Sequence, residues 1–248
     1  MLTSVAVETA SQPALSGGGP ATPVPRTSGA HGLDKTLFLD VNHFAQHTGW
    51  LHTAMYDYAT YGVALFALLL VIGWWLARQR RSARAVAAAL WAGAGTVAAV
   101  GIAQPINHAV AEARPWESVP HALILAGHST DFSFPSDHAV MAGAVTAGIF
   151  LYHRRLGIVS AVAGLLICFA RVYIGAHYPQ DVAAGFVIGA AVVLAGYAIV
   201  RIPLTALVTL MGRTPLRPLV TAAPGFTGPA GPGQPAGAGS SPAPTTFR

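Results

Sequence analysis

The sequence predicts an all-α integral membrane protein, a bundle of five transmembrane helices with an N-terminal amphipathic helix before them. Of its 248 residues, 53% are apolar and only 9% are charged, roughly a third of the charged share of an average soluble domain. A soluble fold could not cover its surface with so few charged side chains. The net charge of +5 comes almost wholly from arginine. Because the arginines lie beside hydrophobic runs, they indicate cytoplasmic membrane loops and argue against nucleic acid as a partner.

The two ends of the chain differ in composition from its centre. Residues 1–30 are rich in Ala, Pro, Ser, Gly and Thr and lack the basic start and hydrophobic stretch of a signal peptide. Residues 218–248 repeat this composition, so we expect both tails to be disordered. Residues 31–57 carry apolar side chains at roughly helical spacing among Asp and His, which predicts an amphipathic helix in the membrane interface. Whether this helix also enters the bilayer stays open, and residues 58–205 are predicted to form the transmembrane domain.

Five hydrophobic segments are candidate membrane spans. A helix needs roughly 20 residues to cross the hydrocarbon core, and the first, second and fifth segments satisfy this requirement easily. The third and fourth have apolar stretches of only about 15 residues and reach spanning length only if their polar ends are helical. The five predicted spans are 58–77, 85–106, 136–153, 156–175 and 180–201.

The arginine-rich connections predict the orientation of the bundle. They lie between spans one and two, between spans three and four, and after span five, which places all of them on one side. The positive-inside rule makes that side cytoplasmic. The loop at 104–136, the turn at 175–180 and the N-terminus then face outward. The arginines concerned are Arg78, Arg80, Arg81, Arg84, Arg154, Arg155, Arg201, Arg213 and Arg217.

A set of polar residues in three pieces falls on this predicted outer face. Two arginines, two histidines, a carboxylate and a hydroxyl are the groups needed to bind a phosphate and transfer it through a histidine. The topology is derived without these residues, yet it brings all three pieces to one side. The pieces are Arg114-Pro115, then Pro135-Ser136-Asp137-His138, then Arg171 with His177 and Asp181.

The second piece is predicted to begin a helix. Pro135 prevents helix before it, and Ser136 is a good N-cap for the apolar helix that follows. A helix N-terminus offers free backbone N–H groups and the positive end of the helix dipole, so it can bind an anion. His138 would project there from the first turn. The simpler interpretation is that Ser136 and Asp137 only cap the helix.

The other two pieces supply cations and a candidate nucleophile. Arg171 lies near the outward end of the fourth span, where a lone guanidinium is costly unless it is paired or functional. Asp181, just inside the fifth span, can accept a hydrogen bond from one imidazole nitrogen of His177 and leave the other free to attack. Arg114 can present a planar fork to phosphate oxygens. The alternative is that the His–Asp pair only anchors a turn.

The sequence argues against a metal centre or another cofactor. His108 and Glu112 are spaced to share a helix face, but no His-Glu-x-x-His motif is present and no tetrahedral ligand spacing is evident. Cys168 is the only cysteine, which excludes an internal disulfide and a cysteine-based metal site. It is predicted to be a small buried apolar side chain.

The three pieces together resemble the signature of the type 2 phosphatidic acid phosphatase superfamily, which reads Lys-x6-Arg-Pro, Pro-Ser-x-His and Ser-Arg-x5-His-x3-Asp. The match in order and spacing covers about residues 33–202. Two positions depart from the signature, because Asn107 stands where the family has lysine and Ala170 where it has serine. The first departure removes a phosphate-binding cation, so that role must shrink or pass to a neighbour such as His108. The second removes a hydrogen bond.

Within the superfamily, the segments SFPSDHA and RVYIGAHYPQDVAAG are most similar to bacterial undecaprenyl-diphosphatases. The resemblance implies a metal-independent membrane phosphatase without a cofactor. Such an enzyme removes one phosphate from undecaprenyl or decaprenyl diphosphate and so recycles the lipid carrier of cell-wall peptidoglycan synthesis. The resemblance also implies a multi-pass protein of the bacterial plasma membrane with an extracytoplasmic site. Its partners are the lipid phosphate and membrane lipids, with no obligate protein partner.

The resemblance, joined to the residue chemistry, implies a role for each site residue. His177 attacks the terminal phosphorus, Asp181 holds its ring, and His138 protonates the departing oxygen and then activates water. The predicted phosphate-binding groups are Arg114, Arg171, Ser136, the backbone N–H of Asp137, and Asn107.

Two alternatives to this function stay open. The substrate could be another lipid phosphate, such as phosphatidic acid, phosphatidylglycerophosphate or a decaprenyl-phosphoryl sugar phosphate, because the phosphate pocket is shared and lipid specificity lies in the spans. A non-enzymatic transporter is the second alternative. It predicts ionisable residues through the depth of the membrane, whereas here they gather at one face.

Overall fold

The computed structural model describes residues 32–80 and 82–221, whose regular structure is helical. A single 3₁₀ turn, Gly49–Leu51, separates the first two α-helices within these ranges. The α-helices are α1 (Gly32–His47), α2 (His52–Tyr61), α3 (Val63–Gln79), α4 (Ala83–Val110), α5 (Pro115–Ser118), α6 (Asp137–Phe150), α7 (Arg154–Tyr173), α8 (Pro179–Met211) and α9 (Arg217–Val220).

Helix α6 is the centre of the bundle. Ten of its 14 residues are buried, and α4, α7 and α8 pack around it. Its backbone approaches that of α8 closely, since Gly143 faces the Phe186 carbonyl and Gly189 faces the Val140 carbonyl. Cys168 on α7 is buried, as predicted, with 9% of its surface exposed. A helix that is apolar on all sides belongs in such a central position.

The bundle has two ends of different chemistry. The end of α4, the start of α6, the end of α7 and the start of α8 meet at one of them. There the Ser136 N–H, just before α6, donates to the carbonyl of Asp181 in the first turn of α8, at 3.2 Å. At the opposite end, the Arg80 guanidinium donates to the Tyr152 carbonyl at 3.0 Å. The predicted site residues and the first two arginine-rich connections therefore lie at opposite ends.

The described residues contain fewer clear spans than the five predicted. Helices α4, α7 and α8 are long and apolar enough to cross a membrane. The segment from Gly49 to Tyr61 together with α3 would supply a fourth, although the two are bent by 53° at their junction. Helix α6 has 14 residues, short of the roughly 20 that a span requires, because it begins one residue after the predicted start and ends at Phe150, three residues before the predicted end. With three or four spans, the chain has the architecture of a multi-pass membrane protein.

The amphipathic segment predicted at 31–57 forms two helices rather than one, because the 3₁₀ turn interrupts it. The inner face of α1 carries Phe38, which is fully buried and packs its ring edge on Tyr178 at 5.3 Å between centroids. On its outer face, Leu33 and Leu37 are 74% and 45% exposed. Helix α1 therefore covers the start of α8 and turns an apolar edge outward.

The two predicted tails fall mainly outside the described residues. Residues 1–30 are not among them. The first residues of the predicted tail 218–248 are described, and they lie in α9, where Val220 is 1% exposed and the Leu219 carbonyl accepts a hydrogen bond from the Trp74 indole at 3.1 Å. The folded part therefore extends past residue 218, because this short apolar stretch packs on α3. The rest of the predicted tail lies outside the description.

Replacement of Gly189 by alanine is expected to destabilise the bundle by about 1–3 kcal/mol, the range for overpacked cores. A Cβ at this position would overlap the Val140 carbonyl and lie 2.9 Å from the Ala144 nitrogen. Both are backbone atoms of α6 that cannot rotate away. Gly93→Ala is the matched control, because a Cβ there meets nothing within 4 Å. Thermal unfolding in detergent should show a lower Tm for Gly189→Ala alone, and equal Tm values would contradict this packing.

Candidate active site

The three polar pieces converge at one end of the bundle. Arg114 lies in the loop after α4, His138 in the first turn of α6, and His177 in the turn between α7 and α8. The guanidinium groups of Arg114 and Arg171 lie 3.2 and 3.3 Å from Nε2 of His177. His138 is close enough for Arg171, His177 and Arg114 to act on it electrostatically. Residues from separate parts of the chain thus share one site.

A tight turn presents His177. Gly175 adopts φ +77°, a left-handed conformation that glycine tolerates without strain. A Cβ at this glycine would lie 3.0 Å from the Leu123 carbonyl oxygen. The neighbouring Ile174 carbonyl accepts a hydrogen bond from the Leu125 N–H at 2.9 Å. The loop before α6 therefore braces the turn, and only 2% of His177 is exposed.

Hydrogen bonds define which nitrogen of His177 carries the proton. Nδ1 lies 2.9 Å from the carbonyl oxygen of Ser133, an acceptor only, so Nδ1 donates its hydrogen there. Nε2 faces the guanidinium nitrogens of Arg114 and Arg171, which are donors only, so Nε2 carries the lone pair. Ser133 was not predicted from the sequence. Its only signal is its place at the start of SFPSDHA.

The environment of His177 keeps the ring neutral. Burial, followed by the charges of Arg171 and Arg114, holds the pKa of His177 well below 6.5, against the smaller opposing effect of the Ser133 carbonyl. The ring is therefore a free base at neutral pH, with its Nε2 lone pair available for attack on an electrophile.

The Arg114 side chain is fixed by the backbone of two loops. Its Nε donates to the Asp131 carbonyl at 2.8 Å, and one terminal nitrogen donates to the Ala176 carbonyl at 3.1 Å. The guanidinium also lies over the Trp116 ring, 5.2 Å from its centroid. Only 6% of the residue is exposed, and burial lowers the pKa of Arg114 without neutralising it. The cation is thus preorganised beside His177.

Two buried donors at this end of the bundle have no hydrogen-bond partner among the described residues, Ser136 Oγ and Arg171 Nε. Ser136 occupies the N-cap position of α6, yet its side chain makes no capping bond, unlike the expected cap. A buried donor without a partner costs roughly 1–3 kcal/mol. Such atoms are explained when a ligand supplies the acceptor. Oxygens of a phosphate are acceptors of the kind that both donors lack.

The backbone N–H and the carboxylate of Asp137, at the start of α6, have different roles. The Ser136 N–H is used by the Asp181 carbonyl, so the first N–H that the helix can offer to an anion is that of Asp137. The Asp137 carboxylate accepts two hydrogen bonds from the Gln104 side chain, both at 3.1 Å. Asp137 is therefore tied to α4 through its carboxylate.

Asp181 lies beside His177, but its shortest hydrogen bonds go elsewhere. Its Oδ2 is 3.5 Å from Nδ1 of His177. It accepts from the Ser133 hydroxyl at 2.6 Å and from the Tyr178 N–H at 2.8 Å, and the latter bond belongs to a capping box at the start of α8. The sequence predicted a direct imidazole–carboxylate bond. The Ser133 carbonyl takes that bond instead, because it lies closer to Nδ1.

Asn107, which replaces the family lysine, holds the loop that leads into α6. Its Nδ2 donates to the carbonyls of Phe132 and Phe134, both at 3.0 Å, and only 6% of the residue is exposed. Both amide hydrogens are used in these bonds. The direct phosphate contact predicted for Asn107 is therefore replaced by a contact with the backbone on either side of Ser133.

A buried carboxyl group lies behind the site. Glu112 is 8% exposed and its Oε1 accepts a hydrogen bond from the Gln180 side chain at 2.9 Å. The Gln180 N–H in turn donates to Asp34 of α1 at 2.8 Å. Burial, and then the nearby charge of Asp181, raises the pKa of Glu112 from 4.5 to about 7. The group is thus largely protonated in mildly acidic solution.

The raised pKa of Glu112 makes stability depend on pH. Between pH 4.5 and about 7 the folded protein binds a proton that the unfolded chain has lost, so stability should fall as pH rises through this window. Glu112→Gln keeps an oxygen acceptor for Gln180 but does not ionise. We expect its Tm to exceed that of the parent above pH 7, with the gap closing near pH 5. A pH-independent gap would contradict this origin.

His108 and Glu112, whose spacing would let them share a helix face, make separate contacts. His108 packs its ring on Phe132, 5.9 Å between centroids and perpendicular. Within residues 32–80 and 82–221, no group of three or more His, Cys, Asp and Glu side chains is placed to hold a metal ion.

The chain is similar in sequence to a family of known proteins. The family model described as PAP2 superfamily matches residues 88–203. The chain is 31% identical over 157 residues to undecaprenyl-diphosphatase BcrC of Bacillus subtilis, covering 63% of this chain and 78% of that protein. It is 33% identical over 154 residues to decaprenylphosphoryl-5-phosphoribose phosphatase of Mycobacterium tuberculosis, covering 61% of this chain and 72% of that protein.

The fold has a counterpart among solved structures. A transmembrane PAP2-type phosphatidylglycerolphosphate phosphatase from Bacillus subtilis superposes with a TM-score of 0.51 at 20% identity. The superposition covers 68% of this chain and 87% of that one. The family model and the two relatives show that the chain belongs to the PAP2 superfamily, which confirms the resemblance seen in its three motifs.

Proposed function

We propose that the protein is a membrane lipid phosphatase that transfers a phosphoryl group to His177 and then to water. The observation that carries this proposal is the unprotonated Nε2 of His177, which faces the guanidinium groups of Arg114 and Arg171 at 3.2 and 3.3 Å. A neutral lone pair beside two fixed cations is placed to attack a phosphorus atom whose oxygens those cations bind.

In the first step, Nε2 of His177 forms a bond to the terminal phosphorus as the bond from phosphorus to the leaving oxygen breaks. His138 enters this step as the imidazolium, the form that the negative charge of the bound phosphate favours, and donates its proton to that oxygen. The phosphorylated ring is then a cation whose Nδ1–H still points to the Ser133 carbonyl. The Asp181 carboxylate, 3.5 Å from Nδ1, stabilises the new charge.

In the second step, His138 accepts a proton from a water molecule whose oxygen attacks the phosphorus. The bond between nitrogen and phosphorus breaks and Nε2 of His177 recovers its lone pair. Inorganic phosphate leaves. Each group ends as it began, so the cycle balances in protons.

The remaining site residues bind the phosphate or hold those that do. The Ser136 hydroxyl, Arg114, Arg171 and the Asp137 N–H would donate to the phosphoryl oxygens as charge moves onto them. Asn107 acts indirectly by holding the loop before α6. These fixed donors supply the positive field that a metal provides in other phosphatases.

The substrate we propose is polyprenyl diphosphate, undecaprenyl or decaprenyl, cleaved to the monophosphate for reuse in cell-wall synthesis. The likeness to a protein named undecaprenyl-diphosphatase supports this choice. In this proposal α6 counts as a short fifth span of a transmembrane phosphatase domain, residues 58–205. The site faces the outside of a bacterial plasma membrane, and α1 lies in that interface.

A substrate panel tests the proposal. Purified protein is given polyprenyl diphosphate, phosphatidic acid, phosphatidylglycerophosphate and a decaprenyl-phosphoryl sugar phosphate, and phosphate release is measured. We expect the highest kcat/KM for polyprenyl diphosphate. A preference for the sugar phosphate would instead fit the likeness to the Mycobacterium tuberculosis phosphatase. No phosphate from any lipid would overturn the enzymatic function and favour a transporter.

Removal of divalent metal should leave the activity unchanged, because arginines and a helix N-terminus supply the positive charge. The measurement is phosphate release before and after treatment with EDTA, with a zinc-dependent phosphatase as the positive control. Loss of activity that a divalent ion restores would contradict the metal-free mechanism.

A further inference from the structure

We propose that Ser133 is a positioning residue for His177. Its carbonyl sets the protonation of the ring, and its hydroxyl holds the Asp181 carboxylate at the distance from which it stabilises the phosphorylated ring. The inference rests on the phosphoryl transfer through His177 proposed above.

All three polar groups of Ser133 are engaged, and the residue is fully buried. Its N–H donates to the Glu112 carbonyl at 2.8 Å, which fixes the backbone at this point. Its carbonyl accepts the Nδ1–H of His177 at 2.9 Å. Its hydroxyl donates to Oδ2 of Asp181 at 2.6 Å. Ser133 therefore joins the nucleophile and the carboxylate through one residue.

The two bonds serve different moments of the reaction. While His177 is neutral, the Ser133 carbonyl alone keeps the hydrogen on Nδ1 and the lone pair on Nε2. When the ring becomes a cation, the Asp181 carboxylate matters more, because charges interact over longer distances than a hydrogen bond. A carboxylate that has lost its hydroxyl partner can rotate out of place, and preorganisation is lost. The three hydrogen bonds of Ser133 go to Glu112, His177 and Asp181 and not to either arginine, so substrate binding should not depend on it.

The consequence is a fall in kcat without a change in KM when the hydroxyl is removed. We expect Ser133→Ala to lower kcat about 10- to 100-fold, within the coupling range of residues in contact. The carbonyl remains in this variant, so the nucleophile keeps its protonation. Ser160→Ala is the matched control, because Ser160 is equally buried and its hydroxyl bonds the Thr146 hydroxyl at 3.0 Å, away from the site.

A double-mutant cycle separates a positioning role from a merely structural one. Kinetics with polyprenyl diphosphate and thermal unfolding are measured for Ser133→Ala, Asp181→Asn and the double variant. If Ser133 acts through Asp181, the double variant should have the same kcat as Asp181→Asn alone. Losses that multiply, or a Ser133→Ala variant with parental kcat, would overturn the proposal. So would a lower Tm with unchanged kcat.

A second readout needs no turnover. Nitrogen NMR of the histidine rings, with the His177 signal assigned by its absence in His177→Ala, should show hydrogen on Nδ1 and not on Nε2. The opposite tautomer would overturn the role of the Ser133 carbonyl. If the parent releases no phosphate, the proposed function fails while this measurement still decides the tautomer. If the parent is active and Ser133→Ala has the parental kcat, the role of Ser133 is contradicted while the proposed function stands.

Discussion

Replacement of His177 by alanine is expected to abolish phosphate release, with a fall in kcat of at least about 10⁴-fold, as for other enzymes that lose their nucleophile. The reason is that Nε2 is the atom that would bond to phosphorus, and the guanidinium groups of both arginines lie beside it. The turn should survive, since Gly175 and the Ile174 carbonyl hold it independently of the ring. Phosphate release at saturating substrate measures the effect.

His43→Ala is the control for this variant. His43 is an exposed residue of α1 whose ring packs on His47 at 4.2 Å between centroids, so the change removes an imidazole without touching the site. It should keep parental kcat. A His177→Ala variant that folds and retains most of the parental rate would contradict a covalent role for this ring.

Arg171→Lys is expected to lower kcat/KM by about 10²–10³-fold, the usual effect of losing one donor to a developing oxyanion. Lysine keeps the charge but not the planar fork. Arg171 uses one terminal nitrogen toward His177 at 3.3 Å and the other toward the Ala59 carbonyl at 3.5 Å, while its Nε has no hydrogen-bond partner in the described part of the chain. A single ammonium group cannot serve all three directions.

The control for the guanidinium is Arg80→Lys, at the opposite end of the bundle, where Arg80 donates to the Tyr152 carbonyl. Its kcat/KM should stay near that of the parent. Equal kcat/KM for the Arg171→Lys variant and the parent would show that charge alone is needed at this position. That result would contradict a role for Nε of Arg171 in binding the phosphate.

Much of the site was predictable because polar residues are conspicuous in an apolar chain. Arg114, Arg171 and His177 are costly in or beside a membrane unless they act together. The span pattern brings them to one end, and the structure places both guanidinium groups on the same ring nitrogen. The long helices were also predictable, since hydrophobic length defines them. The predicted span 156–175 corresponds to α7.

What the sequence did not reveal depends on tertiary contacts. Ser133 is one serine in a polar loop, and nothing in its neighbours indicates that its carbonyl reaches His177. The hydrogen bonds from Asn107 to the carbonyls on either side of Ser133 are equally unpredictable from the sequence. Nothing distinguishes this asparagine from any other asparagine in a helix. The apolar run through Tyr61 and Val63 gives no sign of the 53° bend between α2 and α3. The contacts of Ser133 and Asn107 arise between segments that are distant in the chain.

The central claim is that the phosphoryl group passes through His177, and a trapping experiment tests it most directly. Enzyme mixed with polyprenyl diphosphate labelled on its terminal phosphate is denatured quickly at alkaline pH, digested and mapped by mass spectrometry. We expect label on His177 that is stable to alkali and lost in acid, and no label in the His177→Ala variant. Label on Ser136, or active turnover with no labelled residue, would contradict the account.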